Sequence, residues 1–307
     1  KKKKMKRKNY VIGTLVFVSL LMLSACGSKG NGPAEDVLSK KVYSRVITTY
    51  DYVGDFYDGV AVVKNDDSKY GAINTKGEVT IPLEYDAVRD CQEGRCVVRM
   101  GGWFSGKYGV VDTKGKVILE PTYESMGDFI NGLACVEDAK SKLYGYINLD
   151  GEVAIPLNYK YADDFSDNLA LVKVKSNKYG YIDEKGEVVI PIEFDDADSF
   201  SEGLAAVKKA KKKMVIDKKG EIIFTLPKNQ TFDGEYHDGL IAVIKDRDGD
   251  WWTDDDQKYG YLDTKGEVAI EFIYDDVEDF EDGIAYVEKN DDDFCINTKG
   301  EKVECDY

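Results

Sequence analysis

The sequence predicts an all-β protein of seven tandem units, each made of short antiparallel strands joined in hairpins. Two interlocking motifs recur along the chain and carry this prediction. A third observation supports it: after the amino-terminal segment, no stretch shows sustained helical periodicity.

The first motif predicts a β-hairpin in each unit. A typical copy is KYGYLDTKGEV, which begins at Lys258 and has its turn glycine at Gly266. Glycine suits a turn of positive φ between two antiparallel strands. The turn glycines of the seven copies are Gly77, Gly115, Gly151, Gly186, Gly220, Gly266 and Gly300. They lie 34 to 38 residues apart, except for one interval of 46 residues.

The second motif predicts a buried strand before each hairpin. Its typical form is FSEGLAAV, which begins at Phe200, and the apolar run at its end has the composition of a strand. A proline often follows the hairpin, as in the IPIEFD that begins at Ile190, and its missing amide places it at a strand end. We therefore expect three or four short strands in each unit.

Together these motifs resemble the WG-repeat family, bacterial tandem repeats named for a Trp-Gly pair. The resemblance covers about residues 42–307. Tyrosine stands in place of that tryptophan in five units, at Tyr70, Tyr108, Tyr144, Tyr179 and Tyr259. Met214 and Phe294 replace the motif glycine in the other two units, which we expect to pack less regularly.

Units this short must stack on their neighbours to bury both faces. Two arrangements satisfy this requirement. The resemblance favours an open superhelical array, because the copy number of WG-repeat proteins varies widely. The alternative is a closed seven-bladed propeller, since seven is an ordinary number of blades.

The amino terminus predicts export and a lipid anchor. Seven basic residues within the first eight precede an apolar run that is too short for a membrane-spanning helix. The LSAC at residues 23–26 resembles the lipobox of bacterial lipoproteins, which implies diacylglycerol attachment to Cys26 and labelling by palmitate. We therefore expect a signal peptide at 1–25, a flexible tether at 26–41 and the repeat domain at 42–307, held on the outside face of the cell membrane.

The charge excludes one class of partner. The formal net charge is −16, and removal of residues 1–25 would take away seven positive charges and no negative ones. Such a surface repels nucleic acid phosphates. We expect a protein or a cell-wall glycan as the partner, and contact with the membrane through the lipid anchor alone.

The cysteines allow disulfides in an exported protein. Cys91 and Cys96 flank a turn and could form one bridge, and Cys295 and Cys305 flank a hairpin and could form another. A bridge between Cys96 and Cys135, or no bridge at all, is also compatible with the sequence. No CxxC pair indicates a metal site among these cysteines.

No catalytic constellation is apparent. The only histidine, His237, stands at a polar turn position with no nucleophile motif nearby. Most acidic residues recur at equivalent positions of the units, which indicates structural roles. We predict no enzyme activity and no cofactor, with a carbohydrate-processing lipoprotein that uses a carboxylate pair as the alternative.

Departures from the repeat mark candidate binding residues. All three tryptophans lie in two atypical loops, Trp103 beside Phe104 in the second unit and Trp251 with Trp252 in the sixth. Their rings suit stacking on a sugar or a protein partner. The sixth loop also alternates Asp246, Asp248 and Asp250, as calcium loops do, although its glycine and its twelfth residue depart from the EF-hand pattern. The sequence thus predicts a non-enzymatic, surface-anchored binding or scaffold protein that uses its repeat faces and these loops.

Overall fold

The computed structural model describes residues 32–246 and 257–305. Within these ranges the chain forms seven four-stranded sheets, and in each sheet consecutive strands pair side by side and antiparallel. The predictions of an all-β fold and of seven units are therefore confirmed. Each unit contributes four strands.

The strands follow one another in chain order, four to a sheet. Sheet 1 contains β1 (Tyr52–Tyr57), β2 (Val60–Lys64), β3 (Tyr70–Asn74) and β4 (Val79–Tyr85); sheet 2 contains β5 (Ala87–Val88), β6 (Arg95–Met100), β7 (Lys107–Asp112) and β8 (Val117–Tyr123). Sheet 3 contains β9 (Ser125–Met126), β10 (Leu133–Glu137), β11 (Tyr144–Asn148) and β12 (Val153–Tyr159); sheet 4 contains β13 (Tyr161–Ala162), β14 (Ala170–Lys173), β15 (Tyr179–Ile182) and β16 (Val188–Phe194). Sheet 5 contains β17 (Asp196–Ala197), β18 (Leu204–Lys209), β19 (Lys212–Asp217) and β20 (Ile222–Thr225); sheet 6 contains β21 (Gln230–Phe232), β22 (Leu240–Asp246), β23 (Gln257–Asp263) and β24 (Val268–Tyr274). Sheet 7 contains β25 (Asp276–Val277), β26 (Ile284–Lys289), β27 (Asp292–Asn297) and β28 (Lys302–Val303).

Three helices accompany the sheets in the described part of the chain. They are α1 (Ala34–Val37), α2 (Lys40–Thr49) and α3 (Gly102–Ser105). The first two precede sheet 1, and the third is a single turn between β6 and β7.

The second and third strands of each sheet are buried on both faces. In β2, Ala61 and Val63 face one neighbour, while Val60 and Val62 face the other. Alternate residues of a strand point to opposite faces, so a strand that is covered on both sides needs an unbroken apolar run. This requirement explains why the second motif reads as continuous apolar residues in every unit.

The TKG turn is held by a polar side chain at the end of the third strand. In sheet 4, Asp183 Oδ1 accepts hydrogen bonds from the amides of Lys185 at 3.0 Å and Glu187 at 2.8 Å. The turn glycine, Gly186, has a φ of 80°. An aspartate or asparagine in this role recurs in all seven units, and these residues therefore have a structural function.

The hydrophobic core consists of seven clusters. Six of them lie between successive sheets, so that each sheet packs on the one before it and the one after it. The seventh cluster joins α1 and α2 to the outer face of sheet 1, where Leu38 and Val46 pack with Phe56 and Ile73. Stacking is therefore the main source of apolar burial, as expected for a repeat array.

The helices α1 and α2 occupy the place of a preceding sheet. In sheets 2–7 the TKG hairpin packs on the fourth strand of the sheet before it; Gly186, for example, lies against Ile155. In sheet 1 the corresponding Gly77 lies against Val42 and Val46 of α2. These helices differ from the expected all-strand domain, and α1 begins inside the segment that was predicted to be a tether. The helical pattern of α2 spans only ten residues and includes several β-branched residues, which is too short a signal to stand out in the sequence.

This packing is compatible with the predicted open array. None of the core clusters of the described residues contains side chains from both sheet 1 and sheet 7. A closed ring would bury the outer face of sheet 1 against sheet 7, whereas α1 and α2 cover that face here. At the other end, Cys295 of β27 stands where sheet 6 has Tyr261, and it is tied to Cys305 near the carboxyl end.

A ladder of hydrogen bonds links the acidic turns that precede the second strands. The Asp238 carboxylate accepts from the Gly283 amide of the next sheet at 2.8 Å, and Glu202 accepts from Gly239 at 2.7 Å. Asp58, Glu93 and Asp167 make the same contact with the following unit. Each carboxylate satisfies a turn amide of its neighbour, and we call this set the turn ladder.

The turn ladder predicts that an Asp→Ala substitution lowers stability more at a position that contacts the next sheet than at one that does not. Asp238→Ala should lower the free energy of unfolding by about 1 to 2 kcal/mol, because it leaves the Gly283 amide without its acceptor. Asp282→Ala is the matched control, since Asp282 has the same turn position and the same φ of 52° but makes no such contact with a sheet among the described residues. Urea unfolding of both variants tests this prediction, and equal losses would contradict it.

Candidate functional site

A carboxylate recurs at one edge of the sheets. It stands directly before the first residue of the second motif, which is aromatic except at Cys91, and it follows the first strand except in sheet 1, where Asp55 lies within β1. The members are Asp55, Asp90, Asp128, Asp164, Glu235 and Asp279, and the fifth unit has Ser199 after Asp198. We call this side of the array the first-strand edge. Sequence reasoning missed these residues as a group, although their fixed place before the second motif was a readable signal.

A cavity of about 630 Å³ opens at the first-strand edge of sheets 1–4. Its lining combines aromatic rings, carboxylates, one guanidinium group and a few apolar side chains. The residues used below are Tyr52, Tyr57, Tyr70, Asp90, Asp128 and Asp164. Consecutive units place these groups together because each sheet packs on the next and presents the same edge. A pocket of this size, with polar groups that converge in it, is a candidate ligand site.

Two tyrosines present large exposed surfaces at this cavity. Tyr52 and Tyr57 belong to β1, and their exposed fractions are 51% and 37%. The pKa of each phenol is raised, first by partial burial and then by the nearby carboxylates Asp90 and Asp55. The aromatic wall and the carboxylates are therefore close enough to interact.

The carboxylates disfavour one another's ionisation. Burial, followed by Asp55 and Asp128, raises the pKa of Asp90. Burial also raises the pKa of Asp164 to about 6, with further contributions from Asp163 and Asp128. Desolvation and like charges both destabilise an anion, so the site carries unfavourable negative charge at neutral pH.

One cation in the cavity lining partly offsets this charge. Arg89 forms an ion pair with Asp128 at 3.2 Å, and its guanidinium carbon lies 5.5 Å from the centre of the Tyr108 ring. The same guanidinium lowers the pKa of Asp164, but burial outweighs it. No ion pair to Asp90 or Asp164 is found among residues 32–246 and 257–305.

The position of Asp164 depends on a glycine in the neighbouring sheet. A Cβ atom added to Gly127 would lie 2.0 Å from Asp164 Oδ1. Beside it, Asp163 accepts a hydrogen bond from the Ser199 hydroxyl at 2.7 Å, and its backbone carbonyl accepts one from the Tyr146 hydroxyl at 2.6 Å. The backbone that carries Asp164 is therefore fixed from both adjacent sheets.

Other recurring carboxylates have lysine partners. Asp86, Asp195 and Asp275 pair with the lysine that begins the hairpin motif of their own units, Lys69, Lys178 and Lys258 respectively. Each also accepts a backbone hydrogen bond from the turn between the second and third strands. The hydrogen bond from its lysine is the largest of the effects that lower the pKa of each of these carboxyls. Their recurrence therefore reflects a structural role, as the sequence indicated.

The tryptophan-bearing loops are only partly described. Trp103 and Phe104 lie in α3, a turn whose start is held by the Asp86 carboxylate through the amides of Gly101 and Gly102, each at 2.8 Å. The predicted binding residues Trp251 and Trp252, together with Asp248 and Asp250, lie outside the described residues, and so does Cys26.

Asp246 is the one predicted calcium ligand that the structure describes. It ends β22, and its amide donates to the Asn229 carbonyl at 2.9 Å. Its Oδ1 atom is buried without a hydrogen-bond partner in the described part of the chain. Within the same residues, no group of three or more His, Cys, Asp or Glu side chains is arranged to hold a metal ion.

Four cysteines form two disulfides. Cys91 is bonded to Cys96, and Cys295 is bonded to Cys305, which are two of the pairings that the sequence left open. Cys135 is free and buried, and its thiol donates to the Ala162 carbonyl at 3.3 Å. Burial raises the pKa of this thiol, so it is a core residue with little thiolate character.

The fold and this edge define the chain as a tandem β-repeat protein with a polar, tyrosine-lined cavity. The model of the WG containing repeat matches residues 46–68, 70–102, 108–138, 144–179, 179–212 and 259–291. The chain belongs to this family. A search of curated proteins finds no match. Among the residues that the structure describes, no helix is long and apolar enough to cross a membrane.

Several solved structures are similar to the chain at low sequence identity. The computationally designed Ika8 protein is 12% identical with a TM-score of 0.42, covering 82% of this chain and 85% of its own. BamB from Moraxella catarrhalis is 12% identical with a TM-score of 0.41, covering 79% and 77% respectively. Hsv2p of Kluyveromyces lactis is 8% identical with a TM-score of 0.42, covering 77% and 89%.

Proposed function

We propose that this chain is a non-enzymatic binding or scaffold protein, held on the outside face of a bacterial membrane by a lipid on Cys26. The cavity at the first-strand edge supports the binding role. It provides exposed tyrosine rings and convergent polar groups on a rigid stack of sheets, the combination that recognition sites use. The anchor rests on the LSAC sequence. Its test is palmitate labelling of the chain, which Cys26→Ala should abolish.

The partner in this proposal is a protein or a cell-wall glycan. Exposed aromatic rings stack on sugars and anchor protein interfaces, while the acidic surface disfavours nucleic acid. In this proposal Trp103, Phe104, Trp251 and Trp252 extend the contact, and Asp246, Asp248 and Asp250 are the candidate ligands for a calcium ion.

Retention of cell-wall glycan fragments and of envelope proteins on the immobilised full chain tests this function. Tyr57→Leu should weaken retention at least tenfold without a change in Tm, because it removes an exposed ring from the cavity wall. Tyr161→Leu is the matched control, since Tyr161 is 39% exposed but does not line the cavity. Equal effects of the two variants would contradict a role of the cavity.

Turnover of a glycan, lost in Asp164→Asn, would replace the proposal with the carbohydrate-processing alternative.

A further inference from the structure

Two carboxylates of the cavity at the first-strand edge lack the ion pair that lysines form with another set of recurring carboxylates. Elsewhere, lysines pair with Asp86, Asp195 and Asp275. In the cavity, Arg89 forms its ion pair with Asp128, and no ion pair to Asp90 or Asp164 is found within the described ranges. The charge of Arg89 offsets that of Asp164 only in part. Asp90 is exposed and Asp164 is partly buried. Carboxylates that lie close together raise each other's energy, so a positive group that enters the cavity would be stabilised.

The walls of the cavity select a particular kind of cation. Tyr52, Tyr57 and Tyr70 contribute aromatic rings, and Val62 and Val88 contribute apolar surface. A cation gains energy over the face of a tyrosine ring, and alkyl groups gain energy when they cover apolar walls. Lysine nitrogens already take such positions on this protein, since Lys173 Nζ lies 4.4 Å from the centre of the Tyr179 ring.

The size of the cavity argues against a bare metal ion. A volume of about 630 Å³ far exceeds a single ion, and the carboxylates come from three different sheets. The described residues also contain no cluster with metal-ligand geometry. The space suits a flexible chain that carries one positive group to Asp90 and another to Asp164.

We propose that this cavity binds organic cations that carry primary ammonium groups on a flexible aliphatic chain. Two sources supply this chemistry, a free linear polyamine and the lysine side chains of a peptide. Asp90 and Asp164 would bind the ammonium groups, and Tyr52 and Tyr57 would cover the aliphatic carbons. The inference rests on the proposed binding function and names the chemical class of its ligand.

Calorimetry on the full chain in detergent micelles tests the inference with three probes. Spermidine represents the free polyamine, a trilysine peptide blocked at both ends represents the peptide source, and fully N-acetylated spermidine is the uncharged control. We expect saturable heat from one or both cations, none from the acetylated probe, and weaker binding as salt increases. Tighter binding of spermidine would assign the free polyamine, and tighter binding of trilysine would assign the peptide.

Asp90→Asn should weaken binding of the cationic probes at least tenfold, because it removes one cavity carboxylate without a change in shape. Asp67→Asn is the matched control, since it makes the same charge change at an exposed loop residue that does not line the cavity. Equal losses in the two variants would overturn the inference, since they would show general attraction to an acidic protein. Absence of heat from both cations would also overturn it. Continued Tyr57-dependent retention of a glycan or protein would then leave the proposed function intact, whereas loss of that retention as well would refute both.

Discussion

Asp164→Asn should stabilise the protein by about 2 kcal/mol at pH 7.5 and have little effect at pH 4.0, while it weakens binding of an ammonium ligand. The pKa of Asp164 is raised to about 6 from an ordinary value of 3.8. One pKa unit corresponds to about 1.4 kcal/mol, and partial exposure of the group to water reduces the full effect. Asparagine keeps the shape of the side chain and removes the charge.

The sign of the effect follows from the direction of the pKa shift. A carboxyl whose pKa is higher in the folded state than in the unfolded state favours folding only while it is protonated. Its contribution is therefore present below about pH 4 and is lost as the pH rises through about 6. Burial is the main cause. Asp163 and Asp128 add to it, while Arg89 and the Cys135 amide oppose it. The asparagine variant escapes this loss, so its advantage appears only near neutral pH.

Urea unfolding at the two pH values measures this difference. Asp195→Asn is the control, and its effect on the free energy of unfolding should have the opposite sign, because Lys178 lowers the pKa of Asp195 in the folded protein. That variant should be less stable than the parent at neutral pH, and the difference should shrink as the pH falls below the ordinary range of aspartate. A loss of stability in Asp164→Asn at pH 7.5 would mean that the Asp164 carboxylate is a structural group. If the variant is more stable but binds the ligand more weakly, the Asp164 carboxylate has a role in binding at a cost in stability.

The repeats were predictable because their signals are local. The hairpin turn and the apolar second strand each depend on residues close in sequence, and each recurs in all seven units. The predicted place of the proline was wrong: Pro82, Pro121, Pro156 and Pro191 lie inside the fourth strands, where the register shifts, and not at strand ends. The packing of neighbours was also accessible, since units of this length cannot bury both faces alone.

The candidate site was less accessible to sequence reasoning. Asp90, Asp128 and Asp164 lie 36 to 38 residues apart, and they share a cavity only because successive sheets stack with the same edge on one side. The way that the sheets stack depends on side-chain packing between them, and no short motif encodes it. Composition drew attention to the tryptophan loops instead, because tryptophan is rare in this chain. The helix α2 was missed for a related reason. It is stabilised by packing on one face of sheet 1, and this contact is not visible in its own short sequence.

Gly180→Ala should lower the free energy of unfolding by about 3 kcal/mol or more. A Cβ atom on Gly180 would lie 2.6 Å from Ile192 Cα and 2.8 Å from Ile192 N. These are backbone atoms of β16, so no side-chain rotation relieves the contact. Overpacking against a fixed backbone typically costs a few kcal/mol.

The strand register explains why β16 comes so close. Tyr179 pairs with Phe194 and Tyr181 with Ile190, so two residues of β15 span four residues of β16. The extra residues bulge over Gly180. The same register step occurs in sheets 1, 2, 3 and 6. A Cβ atom placed on the equivalent glycine of these sheets would lie 2.5 to 2.7 Å from a backbone oxygen of the fourth strand, and these glycines are Gly71, Gly109, Gly145 and Gly260.

The two units without the glycine support this explanation. In sheet 5, Met214 pairs with Thr225 and Val215 with Phe224, one residue for one, so no bulge crosses the methionine. The fourth strand is also shorter in sheets 5 and 7, at four and two residues compared with seven in the other sheets. The Tyr-Gly pair of the repeat is thus a backbone requirement: glycine is needed wherever the fourth strand folds back over the third.

Gly54→Ala is the matched control for this prediction. The nearest atom to a Cβ on Gly54 is the Tyr52 hydroxyl oxygen at 3.1 Å, the end of a side chain that can move. The same substitution should therefore cost less than about 1 kcal/mol there, a cost typical of sites that can relax. Urea unfolding of both variants at one pH gives the comparison. If Gly180→Ala cost no more than Gly54→Ala, the fourth strand could move away from the third, and the motif glycine would need a different explanation.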